Sequence, residues 1–451
     1  MGEGAGVFEH WAASKRKALL PSGSLRARFA LGAFWSLAGA TLSRGSLLAA
    51  SVVCARLLGE AGFGALGMIQ STVGMFGVFA GLGLGLTATK YVAEFRRSDP
   101  EHAGRILRLS ATAAFCAGLA MAAALILAAS FLSRTVLAAP SLAEPLTLGA
   151  GLVFFGAING AQTGALAGFE AFATIARVNL WSGVLSFPLI ALGVLSDGLA
   201  GAVIGMVAAL GVTWLLNQRA LARECSLAGV PRMTEGCGRE WPILHQFSLP
   251  AFLASVIVAP GLWLSSALLV RQPHGYAQLG LYTAADKWRL LILFVPTSVS
   301  TTTLPVLASL YGEGDGRGFR GVFRANLLVN TGLALVAALL VSLFASPILA
   351  IYGHGFRQGG AVLVVLAFAA LPGALNTVLG QPLVAARAMW WRLAFDLVLV
   401  GSLVGLAWIL IPRYGALGLA SAYGLAFSIT SLGLFLFLCV TRRKSCWGVV
   451  A

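Results

Sequence analysis

Apolar stretches of about twenty residues or more recur along the whole chain, and they restrict its fold more than any other feature. A helix needs roughly 20 apolar residues to cross the hydrocarbon core of a bilayer. Twelve blocks meet that requirement, at roughly 32–57, 64–88, 107–131, 146–168, 174–196, 198–219, 244–270, 284–310, 323–351, 360–386, 389–412 and 414–440. Composition points the same way. The 451 residues are 58% hydrophobic and only 10% charged, whereas a soluble domain usually carries about 25% charged residues. Alternating strand patterns are absent, so a β-barrel is not expected. The expected class is an all-α polytopic membrane protein with about twelve transmembrane helices.

The charges report orientation. With the N-terminus placed in the cytoplasm and the blocks alternating, the inner segments hold 23 of the 31 Lys and Arg, and the outer segments hold seven. Arg44 is the one left over. This bias fits the rule that short cytoplasmic loops are rich in Lys and Arg, and it places both termini inside. The same distribution argues against nucleic acid as a partner. The net charge of +15 is spread over loop ends instead of forming a phosphate-tracking groove. The first 30 residues contain five Lys and Arg and no separate apolar core with a cleavage site, so no cleavable signal is expected.

Internal repetition divides the chain. "FGALGMIQ" (63–70) lines up with "YAQLGLYT" (276–283), and "GLAGAVIG" (198–205) with "GALGLASA" (415–422). The offsets are 213 and 217 residues. Two copies of six helices in the same orientation follow, because six is even. The expected organisation is a cytoplasmic tail (1–30), an N-lobe (31–220), a cytoplasmic linker (221–243), a C-lobe (244–440) and a second cytoplasmic tail (441–451). A cleft between two lobes is the usual place for alternating access. Gly160, Gly164 and Gly168 form a four-residue repeat on one helix face, which favours close helix packing.

Some chemistries are excluded. The six cysteines form no C-x-x-C pair and the five histidines are scattered, so no metal site is expected. No G-x-x-x-x-G-K-[ST] run occurs, and no other cofactor is called for. An enzyme would need an acid–base pair, yet the longest outer loop, 132–145, has Glu144 as its only acid.

The exceptional residue is Arg44, in "TLSRGSLLAA" (41–50). It lies about twelve residues into the first block, roughly 18 Å deep at 1.5 Å per residue. Insertion scales put the cost of a central arginine at about 2.5–3.5 kcal/mol. Such a cost calls for a partner, a water-filled cavity or a ligand. Two readings stay open. Asp396, the acidic residue read as lying well inside a helix, could pair with Arg44 across the lobes, or Arg44 could form part of an anion site. Other candidates are Lys90 at the inner end of the second helix, and Asp286, Lys287 and Arg289 near the outer end of the eighth. Gln70, Asn159, Gln162, Asn376 and Gln381 are neutral polar residues within helices that could contact hydroxyl groups in a cavity.

Two segments carry a family resemblance. "ARLLGEAGFGALGMIQSTVGMFGVFAGLGLGLTATKYVAEFRR" (55–97) resembles the first-loop and second-helix signature of Wzx-like polysaccharide-biosynthesis flippases. "GLYTAADKWRLLILFVPTSVSTTTLPVLASL" (280–310) resembles the corresponding eighth-helix signature. The wider superfamily also holds multidrug and toxin extruders. The resemblance implies two six-helix lobes related by a pseudo-two-fold repeat and shaped like a V, in the bacterial inner membrane. It implies a cargo of oligosaccharide linked to undecaprenyl pyrophosphate, flipped to the periplasmic leaflet for O-antigen, exopolysaccharide or capsule synthesis. Arg44, Lys90, Lys287 and Arg289 would then be cavity cations for the pyrophosphate. The inner end of the second helix would receive it, and Lys287 and Arg289 would serve the outer mouth. Asp286 and Asp396 would be cavity acids. The implied partners are the cargo, membrane lipids, a proton or sodium ion as coupling ion, and polysaccharide polymerase and assembly proteins. A drug or cation exporter of the same superfamily is the rival reading, and a non-transporting scaffold is a remote one.

Overall fold

A computed structural model describes residues 25–231, 256–386 and 388–444, with backbone only for 25–40, 301–302 and 441–444. Among these residues the elements are helical and no strand occurs. The α-helices are α1 (Leu25–Gly81), α2 (Leu84–Phe95), α3 (Pro100–Phe131), α4 (Ala143–Gly168), α5 (Phe172–Ala228), α6 (Val258–Val270), α7 (Gly275–Gly312), α8 (Gly316–Leu343), α9 (Ala345–Ala350), α10 (Gly360–Ala385) and α11 (Met389–Lys444).

Three helices are far too long for one crossing. α1, α5 and α11 have 57, 57 and 56 residues, or about 85 Å at 1.5 Å per residue, against a hydrocarbon core of about 30 Å. Each is broken near its middle. Gly59 (φ 68°), Gly198 (φ 49°) and Gly415 (φ 56°) adopt a backbone that side-chain-bearing residues avoid. Each break falls at an expected outer turn, so each long helix is a hairpin of two crossing arms. Among the described residues, eight spans are apolar and long enough to cross a membrane, and three of them contain these hairpins. α6 is the described part of the expected seventh block. The first part of that block, 244–255, lies outside the described residues, as do most of the linker and both tails.

Helix ends follow local rules. Asp99 precedes Pro100 and its side chain accepts from the His102 backbone N–H at 2.9 Å, a side-chain cap followed by proline at the first helical position. In "GEGDGRG", Asp315 caps α8 by accepting from the Arg317 and Gly318 N–H groups at 3.1 and 2.9 Å. The glycine-rich stretch is thus a turn and cap. At the turn after α4, Arg96 meets Glu170 at 2.7 Å and holds its carboxyl below the usual range through that hydrogen bond.

Several expected block ends need correction: the third and ninth begin seven residues early, at Pro100 and Gly316, and the sixth runs on to Ala228; the second and eighth matter for the candidate residues. The second does not stop near residue 88. It continues to Phe95, with a break at Leu82 (φ 43°) and Gly83 (φ 67°) between α1 and α2. The eighth begins at Gly275, nine residues before the expected 284.

Packing is mostly within each half of the sequence. α4 lies on α2 through its glycines: a Cβ on Gly164 would meet the Gly85 carbonyl, and Thr89 donates to the Gly164 carbonyl at 2.9 Å. This is close helix packing through small residues. The halves meet where α6 and α7 lie along α1. There a Cβ on Gly64 would overlap the Tyr276 carbonyl, and one on Gly280 the Glu60 carbonyl. Trp263 Nε1 donates to Thr72 at 3.0 Å, Tyr276 donates to the Leu137 carbonyl at 2.9 Å and Arg56 donates to the Ile351 carbonyl at 2.6 Å. Phe63 packs edge-on against Tyr352 and Phe356, with centroids 6.2 and 5.9 Å apart. Apart from the deeper Trp263–Thr72 bond, these contacts gather at the end expected to face outward and seal it. Large apolar side chains such as Leu127 and Trp390, each 83% exposed, face away from the interior, as a lipid-facing surface requires.

Candidate functional site: two cavities between the halves

A cavity of about 310 Å³ lies below the seal, where α1, α5 and α7 meet. Arg44 on the first arm of α1 and Lys287 on α7 both line it, together with Gln70, Ser51, Cys54 and apolar side chains. No carboxylate is among its lining residues. Lys287 donates to Gln70 Oε1 at 3.1 Å, joining the two halves, and Gln70 Nε2 is 3.5 Å from the Met206 sulfur.

Depth places both cations well inside the membrane. Lys287 comes twelve residues after Gly275, or roughly 18 Å along the helix. Arg44 comes fifteen residues before Gly59, or roughly 22 Å. The Arg44 guanidinium carbon sits 3.8 Å from the centroid of Phe294 on α7. A cation–π contact contributes about 0.5–2 kcal/mol depending on desolvation. Burying a central arginine costs about 2.5–3.5 kcal/mol. The ring therefore offsets part of the cost, and water or an anion in the cavity must supply the rest. The side chain is exposed, so the cavity is open to it.

A second cavity of about 260 Å³ lies beside the first and shares Gln70 and Lys287 as walls. Its other polar lining includes Ser71, Tyr282, Thr283, Asp286, Arg289 and Tyr423. Arg289 is only 8% exposed. It donates to Asp286 Oδ1 at 2.6 Å and to the Tyr423 hydroxyl at 2.7 Å. Asp286 is thus already neutralised by a residue three positions on, on the same helix face.

Six of the eleven residues singled out from the sequence fall elsewhere. Asp396 does not pair with Arg44. Its carboxylate is gripped by Arg392, four residues earlier, at 2.9 and 3.1 Å. Nor is it the one acid deep inside a helix, because Asp286 is eleven residues into α7. Lys287 and Arg289 are at mid-membrane and not at the outer mouth, because α7 starts early. Lys90 lies on α2, exposed, 4.7 Å from the Tyr91 ring, and lines neither cavity. Asn159 donates to the Leu210 carbonyl at 3.1 Å and accepts from Asn217 at 3.2 Å. Gln162 donates to Gln218 at 2.7 Å. Gln381 accepts from Asn326 at 2.8 Å and donates to the Ser300 carbonyl at 2.7 Å, and Asn376 accepts from Arg392 at 3.4 Å. These amides tie helices together within one half, which is the bland role of polar residues at membrane depth. Ser71, Tyr282, Thr283, Tyr423 and Phe294 were not singled out. The signal for three of them was available: 282, 286 and 289 recur at helical spacing, Thr283 adjoins that face, and Ser71 follows Gln70.

Residues 29–311 match the family model described as polysaccharide biosynthesis protein. The EPS I polysaccharide export inner membrane protein EpsE of Ralstonia nicotianae is 26% identical over 430 residues, covering 93% of this chain and 95% of that protein. Among solved structures, an inward-facing multidrug resistance MATE family transporter of the MOP superfamily superposes with a TM-score of 0.73 at 16% identity, covering 91% of this chain and 98% of that one. A MOP superfamily transporter from Pyrococcus furiosus, described as having a binding pocket of reverse polarity, superposes with a TM-score of 0.65 at 18% identity, covering 91% and 95%. At these identities the structural likeness concerns the fold.

Proposed function

The chain belongs to the polysaccharide biosynthesis protein family, and on that premise we propose that it is a transporter of lipid-linked oligosaccharide in the bacterial inner membrane. The cargo we propose is an oligosaccharide joined through a diphosphate to undecaprenyl, carried from the cytoplasmic to the periplasmic leaflet by alternating access of two lobes. Both termini would be cytoplasmic. The relative named as a polysaccharide export inner membrane protein supports the cargo class and the location.

The observation that carries this reading is the first cavity. Arg44 and Lys287 come from opposite halves, share one mid-membrane space and have no carboxylate among its lining residues. Diphosphate is the hardest part of such a cargo to bring through hydrocarbon, since an unpaired ion there is costly. A guanidinium supplies a planar pair of donors for phosphate oxygens, and an ammonium supplies a compact charge. Drug or cation export would need a carboxylate free to bind cations or protons. The acid in the second cavity is already paired with Arg289.

Complementation tests the proposal. In a bacterium deleted for its oligosaccharide flippase, the wild type restores surface polysaccharide. Arg44→Ala and Lys287→Ala, at equal membrane level, lower it by about tenfold or more, the scale of a lost charge-assisted hydrogen bond. Normal function in both variants would remove the anion site. A wild type that instead lowers accumulation of a cationic dye would turn the assignment to the exporter.

A further inference from the structure

The second cavity has a feature that the phosphate reading leaves unused. Ser71, Tyr282 and Thr283 line it and are half-buried, and none of their hydroxyls has a hydrogen-bond partner among the described residues. Most half-buried hydroxyls elsewhere in this chain bond back to their own helix, as those of Ser51, Thr89 and Thr297 do. These three hydroxyls are not sealed off, so each is available to bond to whatever occupies the space they line.

The rest of the lining narrows the occupant. Arg289 neutralises Asp286, and Lys287 leaves the cavity net positive, so a cation does not fit. The cavity, at about 260 Å³, is below the roughly 300–1,000 Å³ of pockets for drug-sized ligands. Hydroxyls and charges on its walls make it unsuitable for an alkyl chain. Tyr282 and Tyr423 add aromatic bodies with polar tips, which suit a ring with a C–H face and a hydroxyl edge. Gln70 and Lys287, hydrogen-bonded to each other, form a wall common to both cavities, so a ligand whose anionic group lies in the first cavity has the second directly beside it.

We infer that the second cavity is a sugar subsite, in which Ser71, Tyr282 and Thr283 hydrogen-bond the hydroxyls of the ring attached directly to the phosphate. This rests on the transport reading above. It adds a specificity determinant separate from the cations that hold the phosphate.

The test compares two probes on the purified full-length protein: undecaprenyl diphosphate alone, and the same lipid carrying one hexose. Wild type binds the glycosylated lipid about tenfold more tightly, the scale of one or two hydrogen bonds. Ser71→Ala with Thr283→Val loses that preference, and Tyr282→Phe reduces it. Elution volume and melting temperature check that each variant is folded. Arg44→Ala weakens binding of both lipids and keeps the ratio between them. A preference that survives the double variant, or is absent from wild type, would mean the cavity holds only water, and the sugar subsite falls while the phosphate site stands. Bare-lipid binding that ignores Arg44→Ala, or no binding of either lipid, would overturn the phosphate site and the subsite with it.

Discussion

Arg392 and Arg44 are the same residue in opposite surroundings. Arg392 holds a carboxylate that is 5% exposed, using two of its nitrogens, and a Cβ on Gly380 would strike its guanidinium. Arg44 has an aromatic ring on one side and an open cavity on the other. The first arrangement is complete, and the second has room for an anion. Breaking a buried ion pair by removing one partner costs about 3–5 kcal/mol, because the other charge is left stranded. Arg392→Met should therefore destabilise the protein by about that amount. Arg44→Ala should cost about 1 kcal/mol or less, because it removes only a ring contact and relieves an uncompensated charge. Thermal melting in detergent decides between them. Equal losses for the two variants would make Arg44 a structural residue. The Arg392–Asp396 pair was legible in the sequence as a basic and an acidic residue four apart. Its depth in the membrane drew attention to the acid alone.

At the scale of elements, the hydrophobic blocks located the crossings and missed where the helices begin. "GYAQLGLYT" (275–283) contains Tyr276, Gln278 and Tyr282, which dilute its apolar character and make it read as a loop. It is helical because that stretch faces protein: Gln278 accepts from the Ala416 N–H at 3.0 Å and Tyr276 donates across the halves. A helix face that never meets lipid has no need to be apolar. This shift of nine residues moved Lys287 and Arg289 from an outer mouth to mid-membrane. The glycines carried information of a different kind. Gly64 and Gly280 are sites of backbone contact between α1 and α7, where a Cβ on either would overlap a carbonyl of the other helix. Gly64→Val should insert normally and fail to close the outer end. A cysteine at position 283, introduced as Thr283→Cys, should then react with a membrane-impermeant maleimide applied from outside and stay protected when Gly64 is intact. Protection in both backgrounds would show that the seal does not depend on this approach.

For the whole molecule, one of the two pairs of stretches aligned by internal repetition, 63–70 with 276–283, is also where the halves touch. Gly67 and Gly280 are equivalent at the 213-residue offset, and across the interface Gly64 meets Gly280, Gly67 meets Thr283 and Gln70 meets Lys287. Each half thus presents its copy of one segment to the other, as in a self-complementary two-fold contact. Such an interface can rock without unravelling either half, because most remaining contacts stay within a half. Sealing at one end and cationic space below it fit a cycle in which this contact opens and closes. If it does, tying the sealed end shut must stop transport. Arg56 and the Ile351 carbonyl cross the halves there at 2.6 Å. In a background with the six native cysteines replaced, Arg56→Cys with Ile351→Cys, bridged by a short reducible bifunctional reagent, should abolish restoration of surface polysaccharide. Reduction of the bridge should return it. Either cysteine alone, given the same reagent, should transport as the cysteine-free parent does. A bridged protein that transports at the parent's rate would mean the sealed end never parts, and the cargo would have to pass by a route along the outside of the helices and not between the halves.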